Sequence, residues 1–146
     1  MEYRTPQFFT VAERASGRTY KEWLEKRAQS LKRQDRTRGN HVLPISHYRK
    51  ALHRAILRSE GIDEYSGREV DWSLAFTNRN EVKGAKHRRA FAAAPSVDHM
   101  TGGGAGVAIC RDDTNTAKGC MTADDFRALC LAVAASPPRF CNGAKA

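Results

Sequence analysis

The chain has 146 residues, which suits one domain of ordinary size, and its 25 Lys/Arg against 16 Asp/Glu give a net charge of +9. No apolar stretch approaches the roughly 18 residues that a spanning helix needs, and the first residues lack a hydrophobic signal core. These features exclude a membrane-embedded protein, and we expect a cytoplasmic protein without a membrane partner.

The positive charge is concentrated in the first part of the chain. Residues 1–60 contain 14 Lys/Arg and 6 Asp/Glu, whereas residues 61–146 contain 11 and 10. Such a concentration of Lys and Arg favours the binding of a polyanion, because counterions are released from the phosphates that the protein neutralises. We therefore expect nucleic acid as the partner. A solvated surface that only maintains solubility, or basic helices that bind an acidic protein, are the alternatives.

Two helices are predicted in the basic part. Residues 1–18 show no clear period, and the capping box Thr19-Tyr-Lys-Glu22 then predicts a helix that ends in the basic turn 33–40. Ser46 is a good N-cap for a second helix, which stops near Gly61. The buried face of this second helix is predicted from its apolar spacing, and its basic positions share another face. The predicted buried positions are Tyr48, Leu52, Ala55 and Ile56. The other face, which we expect to lie along a phosphate backbone, carries His47, Lys50, Arg54 and Arg58.

The second part of the chain mixes short elements. Residues 65–70 predict a turn with short pairing flanks, and residues 77–89 predict a basic loop or short helix that includes Arg88 and Arg89. Residues 91–99 and 107–111 predict two strands around the glycine turn 101–104. A last helix is expected from Thr122 to Ser136-Pro-Pro138, with the buried face Phe126, Leu129, Cys130 and Val133.

The four cysteines give no metal-binding pattern. They lie about ten residues apart, and none forms a CxxC pair. This spacing argues against a zinc ribbon. Cys130 is expected to act as a small buried apolar group, and disulfides are not expected in a cytoplasmic protein.

The dipeptide Asp98-His99 carries the strongest chemical signal. It precedes the glycine turn, and Asn115 and Lys118 follow the second predicted strand. One divalent metal ion and one activated water can be held by a carboxylate, an imidazole and a second neutral ligand. Adjacent residues on a strand point to opposite faces, so Asp98 and His99 serve one site only if the strand ends there. Alternatively, Asn115 caps a helical turn and Lys118 is an ordinary surface lysine.

The order of these residues resembles the core of the HNH endonuclease superfamily. The resemblance is carried by Pro95-Ser-Val-Asp-His99, the glycine turn, Ile109-Cys110 and Asn115-Thr-Ala-Lys118, and it covers roughly residues 62–135. In that family a hairpin and a helix hold one metal, an arrangement called ββα-metal. The resemblance implies that Asp98 is a metal ligand and His99 the general base. It also implies that Asn115 completes the metal site and Lys118 contacts a phosphate.

The chain departs from the family pattern in two ways. The zinc-binding Cys pair that many members carry near the turn corresponding to residues 65–70 is absent, so the resemblance implies no structural zinc. The family's middle Asn is also absent, because the corresponding stretch is Gly104-Ala-Gly106. Asp112, Asp113 or a backbone carbonyl is expected to orient His99 in its place.

These observations predict an α+β fold in which N-terminal helices pack on a small HNH-like ββα-metal core with a C-terminal helix. The expected parts are a basic helical extension (1–61), the core (62–136) and a loose tail (137–146), forming one compact domain overall. The expected function is hydrolysis of DNA phosphodiester bonds with one Mg²⁺, Mn²⁺ or Zn²⁺ ion, and the alternative is a non-catalytic DNA-binding module on a degenerate HNH scaffold. No pattern indicates an oligomeric state. The expected nucleic-acid contacts are Lys118, Arg111, Arg88, Arg89, Lys50, Arg54 and Arg58.

Overall fold

The computed structural model describes residues 3–77, 84–100 and 106–136. In these ranges the chain forms helices and one two-stranded antiparallel sheet, which agrees with an α+β fold. The helices are α1 (Thr10–Ser16), α2 (Tyr20–Arg38), α3 (Ile45–Ser59), α4 (Gly84–Phe91), α5 (Asp112–Lys118) and α6 (Ala123–Ala135). The strands are β1 (Pro95–His99) and β2 (Val107–Arg111), and short 3-10 turns cover Gln7–Phe9 and Trp72–Leu74.

The predicted capping box at the start of α2 is confirmed. The Glu22 carboxylate accepts from the Thr19 backbone N–H at 2.9 Å, and the Thr19 hydroxyl accepts from the Glu22 N–H at 3.3 Å. The predicted basic turn at 33–40 is wrong, since α2 stays helical to Arg38 and ends at Gly39 with φ +70°. The last turn of α2 is therefore helical and carries Arg36 and Arg38.

Helix α3 begins two residues earlier than predicted, because Pro44 and not Ser46 is its N-cap residue. Its buried face is confirmed, with Tyr48, Leu52 and Ile56 each at most 1 % exposed. The helix packs on α2 with this face and also contacts β2. The basic extension and the hairpin are therefore in direct contact.

One hydrophobic cluster connects the two parts of the chain. It contains Phe9, Trp23, Trp72 and Ile109, all buried. The Phe9 ring centroid lies 5.6 Å from that of Trp23 and 5.5 Å from that of Trp72. The segment before residue 19 showed no period, yet it supplies the aromatic centre of this cluster, because single aromatic anchors need no periodic pattern.

The hairpin pairs Pro95 with Arg111 and His99 with Val107 in a regular register. Strand β1 begins at Pro95 and not at the predicted residue 91, because Phe91 still belongs to α4. The glycine turn 101–104 lies outside the described residues. Side chains alternate across the sheet: Ser96 and Asp98 face α5, and His99 faces α2.

The expected buried face of α6 is wrong. No residue of the helix is buried, and Leu129 and Val133 are 47 % and 67 % exposed. Cys130 is exposed as well. Of the four expected residues only Phe126 is half-buried, and its ring centroid lies 6.2 Å from that of Tyr65. The apolar spacing is present, but the described part of the structure does not bury this face of α6.

The predicted loose tail 137–146 lies outside the described residues. In the described ranges, no helix combines the length and the apolar character that crossing a membrane requires.

Candidate active site

A cleft follows the outer edge of β1, between the C-terminal end of α2 and the helix α5. Its volume is about 560 Å³. The four motif residues that the sequence singled out, Asp98, His99, Asn115 and Lys118, all line it. The remaining lining residues are Gln34, Arg38, Asn40, Val97, Gly119 and Cys120.

Within the described residues, the outer edge of β1 offers backbone groups without a hydrogen-bond partner to this cleft. Met100 N donates to Gly106 O and Asp112 N donates to Ala94 O, both at 2.9 Å. Hydrogen-bonded pairs alternate along an antiparallel ladder, so the residues of β1 that bond to β2 are the even-numbered ones. The N–H and C=O groups of Val97 and His99 therefore point outward, toward the cleft. His99 thus reaches the cleft through its backbone, although its side chain faces α2.

Asp98 is held in a buried ion pair. Its Oδ2 lies 3.1 Å from Lys118 Nζ and also accepts a short hydrogen bond from the Tyr65 hydroxyl. Asp98 and Lys118 are 5 % and 3 % exposed. The alternative of Lys118 as a surface lysine is therefore wrong. A buried pair of this kind is costly to break, because removing one partner leaves the other charge uncompensated.

Tyr65 was not identified from the sequence, although it lies directly on Asp98. Burial, together with its hydrogen bond to Asp98, raises the pKa of Tyr65. The phenol therefore stays protonated and donates to the carboxylate. A tyrosine in a turn carries no sequence signal for such a contact, which depends on how the turn docks against β1.

A carboxylate positions the turn that carries Tyr65. Asp63 Oδ1 accepts from Tyr65 N at 2.8 Å and from Ser66 N at 3.0 Å, and its Oδ2 accepts from Arg111 N at 3.0 Å. Burial opposes ionisation of Asp63, but hydrogen bonds from Thr114 and from these backbone groups outweigh it and lower the pKa of Asp63. The expected short pairing here is reduced to one bridge, Ile62 with Glu69.

Asn115 lies on the side of the cleft opposite α2. Its Nδ2 donates to Ser96 Oγ at 2.9 Å, which leaves the carboxamide oxygen to interact with a ligand. The alternative in which Asn115 caps a helical turn is wrong, because it lies inside α5, whose N-cap residue is Arg111. Asp98 and Asn115 thus share the face of the sheet that α5 covers.

Strand β1 ends at His99 as predicted, but the His99 side chain lies on the opposite face of the sheet from Asp98. The expectation that the two side chains serve one site from the strand end is therefore wrong. Its side chain is 2 % exposed, and its Nε2 lies 3.3 Å from Asp35 Oδ1. Both ring nitrogens are shielded from solvent and lack an aligned hydrogen bond within the described residues. The imidazole therefore points away from Asn115 while its backbone borders the same cleft.

Asp35 is the second residue that sequence reasoning missed. It is 0 % exposed and accepts from the Tyr48 hydroxyl at 2.6 Å and from Asn40 Nδ2 at 2.9 Å. A signal for it exists, since Leu24, Ala28 and Leu31 form an apolar stripe that Asp35 continues at helical spacing. A carboxylate at a position that the period assigns to the core indicates a buried polar network.

Asp113 does not orient His99 as expected. Its carboxylate is bound by Arg68 at 3.1 Å and by Arg111 at 3.0 Å. Burial opposes ionisation, but the Arg111 and Arg68 guanidinium groups lower the pKa of Asp113 overall. Neither Asp113 nor Asp112 lines the cleft. The residue in contact with the imidazole is Asp35.

Two of the predicted nucleic-acid contacts are tied into the fold. Arg111 is held by Asp113 and donates to the Glu69 carbonyl at 3.1 Å. Arg58 is held by Glu64 and donates to the Val107 carbonyl at 3.0 Å. Both guanidinium groups stabilise the fold through these partners, and neither lines the cleft.

The other predicted contacts differ in position. Lys50, Arg54 and Arg89 are exposed, but none of them lines the cleft. Arg88 belongs to α4, and its side chain lies outside the described part of the structure. The cations that line the cleft are Lys118 and Arg38, and Arg38 was not predicted. It lies on the last turn of α2, which the sequence had indicated to be a loop.

The donor set fits a hard divalent ion held by few protein groups. The candidate ligands are the Asp98 carboxylate and the Asn115 carboxamide oxygen, and oxygen ligands suit Mg²⁺ or Mn²⁺. Zn²⁺ prefers nitrogen and sulfur ligands, and this oxygen pair does not supply them. Among the described residues, no group of three or more His, Cys, Asp and Glu side chains gathers as a metal site. Mg²⁺ typically completes its shell with water and substrate phosphate.

Comparisons of the chain with protein-family models, with curated proteins and with solved structures found no match. The HNH resemblance therefore rests on the motif residues alone.

Proposed function

We propose that the protein is a metal-dependent endonuclease of HNH type that hydrolyses phosphodiester bonds in DNA. One observation carries the proposal: a hairpin followed directly by a helix gathers Asp98, His99, Asn115 and Lys118 around a single cleft. Asp98, Asn115 and Lys118 lie on the α5 side of the hairpin, and His99 borders the cleft with its backbone while its imidazole lies on the α2 side.

The chemistry divides among these side chains. Asp98 and Asn115 would hold the ion, which supplies charge neutralisation at the phosphate when it is bound. His99 accepts the proton of the attacking water through Nδ1, because Nε2 is directed at Asp35. Lys118 and Arg38 line the same cleft and contact phosphate oxygens.

Access to the imidazole sets a condition on this mechanism. Both ring nitrogens of His99 are shielded from solvent in the free protein. Catalytic hydrogen bonds are often long or poorly aligned before substrate binds, and they tighten in the complex. DNA binding in the cleft therefore has to open a path for one water to Nδ1.

The test is nicking of supercoiled plasmid by the purified protein with Mg²⁺, Mn²⁺ or Ni²⁺, in parallel with His99→Ala and with His47→Ala. His47 is exposed on α3 and serves as the matched control. We expect nicking that needs metal, stops with chelator, survives in His47→Ala and is lost in His99→Ala. Equal nicking by all three proteins, or none by any of them in every metal, would rule out the proposal.

A second candidate function is DNA binding without hydrolysis. It is favoured by one contact, the Lys118 ammonium 3.1 Å from the carboxylate that a metal would need. In this version Lys118 holds the cation position permanently, and the cleft binds the DNA backbone only. It predicts salt-dependent binding that chelator leaves unchanged, together with an absence of nicking.

A further inference from the structure

We infer that Asp35 is a positioning residue for His99, a role that rests on the nuclease function proposed above. The carboxylate comes from α2, in the basic N-terminal part of the chain, whereas the imidazole comes from β1. The contact joins Asp35 Oδ1 and His99 Nε2 at 3.3 Å, and both side chains are almost completely buried.

Asp35 is itself fixed from several directions. The Tyr48 hydroxyl donates to Oδ2 at 2.6 Å, and Asn40 Nδ2 donates to Oδ1 at 2.9 Å. The Asn40 backbone N–H donates to the Asp35 carbonyl at 2.9 Å, which ties the end of α2 to the same point. The Tyr48 hydroxyl also accepts from Leu43 N at 3.3 Å. A carboxylate held in this way presents Oδ1 to the imidazole in a defined direction.

This geometry selects one form of the imidazole. A carboxylate beside Nε2 favours the neutral tautomer that carries its proton on Nε2 and leaves the lone pair on Nδ1. A carboxylate that holds a histidine in the correct tautomer and orientation is a recurring element of acid–base catalysis. Asp35 thereby supplies the orientation that Gly104-Ala-Gly106 cannot supply from a side chain.

The arrangement also gives the N-terminal helices a second purpose. Asp35 lies in the apolar stripe of α2, where a buried carboxylate needs partners to offset the loss of its hydration. Its partners come from the turn after α2 (Asn40), from α3 (Tyr48) and from β1 (His99). The basic extension therefore takes part in orienting His99, in addition to any contact it makes with DNA.

The inference is tested with Asp35→Asn, Asp35→Ala and the control Glu25→Gln. Glu25 is another carboxylate on α2 that ties it to α3, through Arg49 at 3.2 Å, and it does not line the cleft. Nicking rates are measured with folded protein at a temperature well below each unfolding midpoint. We expect kcat to fall about 10- to 100-fold in Asp35→Ala, with KM for DNA nearly unchanged.

Asparagine keeps an oxygen that can face Nε2, so Asp35→Asn should retain more activity than Asp35→Ala, and Glu25→Gln should match the wild type. A kcat in Asp35→Ala that is no lower than the kcat in Glu25→Gln would overturn the inference.

A second readout does not depend on activity. Long-range ¹H–¹⁵N NMR of the imidazoles, with the His99 signals assigned by their loss in His99→Gln, reports which ring nitrogen carries the proton. We expect the Nε2–H tautomer in the wild type and a mixture of tautomers in Asp35→Ala. An unchanged tautomer in Asp35→Ala overturns the inference even if the protein nicks DNA. A changed tautomer in a protein that does not nick supports the positioning of His99 and rejects the nuclease function.

Discussion

The Lys118 ammonium lies 3.1 Å from the Asp98 carboxylate, and both groups are more than nine-tenths buried. The candidate metal ligand therefore already has a cation beside it in the free protein. A divalent ion at Asp98 would have to compete with this ammonium, so under the proposed function the lysine would lower the affinity of the site for metal.

Lys118→Met removes the competing charge. We expect the free energy of unfolding to fall by about 3–5 kcal/mol without metal, because Tyr65 is then the one side chain among the described residues that still binds the Asp98 carboxylate. We also expect Mn²⁺, measured by titration with paramagnetic resonance, to bind at least about tenfold more tightly. A charge pair at this distance is worth more than the ~1.4 kcal/mol that a tenfold change represents. Lys50→Met, an exposed lysine on α3, is the control, and equal Mn²⁺ affinity in the two variants would contradict the competition.

Asp63→Asn tests the turn that holds Tyr65. The amide presents a donor where the carboxylate accepts from Arg111 N, so we expect a loss of about 1–3 kcal/mol of unfolding free energy at neutral pH. The lowered pKa of Asp63 makes the folded state bind a proton less readily than the unfolded state. Its contribution is therefore full above the unfolded pKa of about 3.9 and is lost as the pH falls through the lower folded pKa.

Urea unfolding of the wild type and Asp63→Asn from pH 7 to pH 3 checks this dependence. The difference between the two proteins should shrink at the acidic end. Asp124→Asn, at an exposed position in the first turn of α6, should show no comparable dependence. A constant difference between wild type and Asp63→Asn over the whole range would contradict the role of this carboxylate.

Arg38→Ala tests the cleft as the DNA-binding surface. We expect weaker binding for all DNA sequences and a salt dependence whose logarithmic slope is reduced by about one, because one phosphate contact is lost. Arg14→Ala is the matched control, since Arg14 is exposed on α1 and does not line the cleft. Fluorescence anisotropy with a short duplex at several salt concentrations measures both effects. If the two variants lose the same affinity, the DNA backbone does not follow the cleft.

Leu131→Glu tests the exposure of α6. Leu131 is 66 % exposed, so the free energy of unfolding should change by no more than about 0.5 kcal/mol. Ile109→Ala, at a position that is 0 % exposed, should cost about 2–5 kcal/mol. Chemical denaturation of both variants provides the comparison. A large loss in Leu131→Glu would mean that α6 packs against the core.

Local signals in the sequence predicted most of the secondary structure. The capping box at Thr19 and the hydroxyl at Thr122 start α2 and α6 as expected, because each cap is a contact between residues three apart. Strand β2 has the predicted bounds. The start of β1 was displaced because Phe91 fits a helix end and a strand start equally well in an apolar run.

The contacts that shape the site could not be predicted from local sequence patterns, because they join residues that are far apart in the chain. Tyr65 and Asp98 are 33 positions apart, and Asp35 and His99 are joined only by the docking of α2 on the hairpin. Lys118 was expected to contact phosphate, and its burial against Asp98 depends on how α5 lies across β1. Helical spacing identified the apolar face of α6 correctly but could not indicate whether another element covers it.

The central claim is that one divalent ion binds between Asp98 and Asn115, and a crystal structure of the protein soaked with Mn²⁺ tests it most directly. Anomalous scattering should show one ion within about 2.0–2.6 Å of a carboxylate oxygen of Asp98 and the carboxamide oxygen of Asn115, a range typical of oxygen ligands. The Lys118 ammonium should lie farther from Asp98 than the 3.1 Å of the free protein. A fully soaked crystal with Lys118 still on Asp98 and no ion beside Asn115 would contradict the claim.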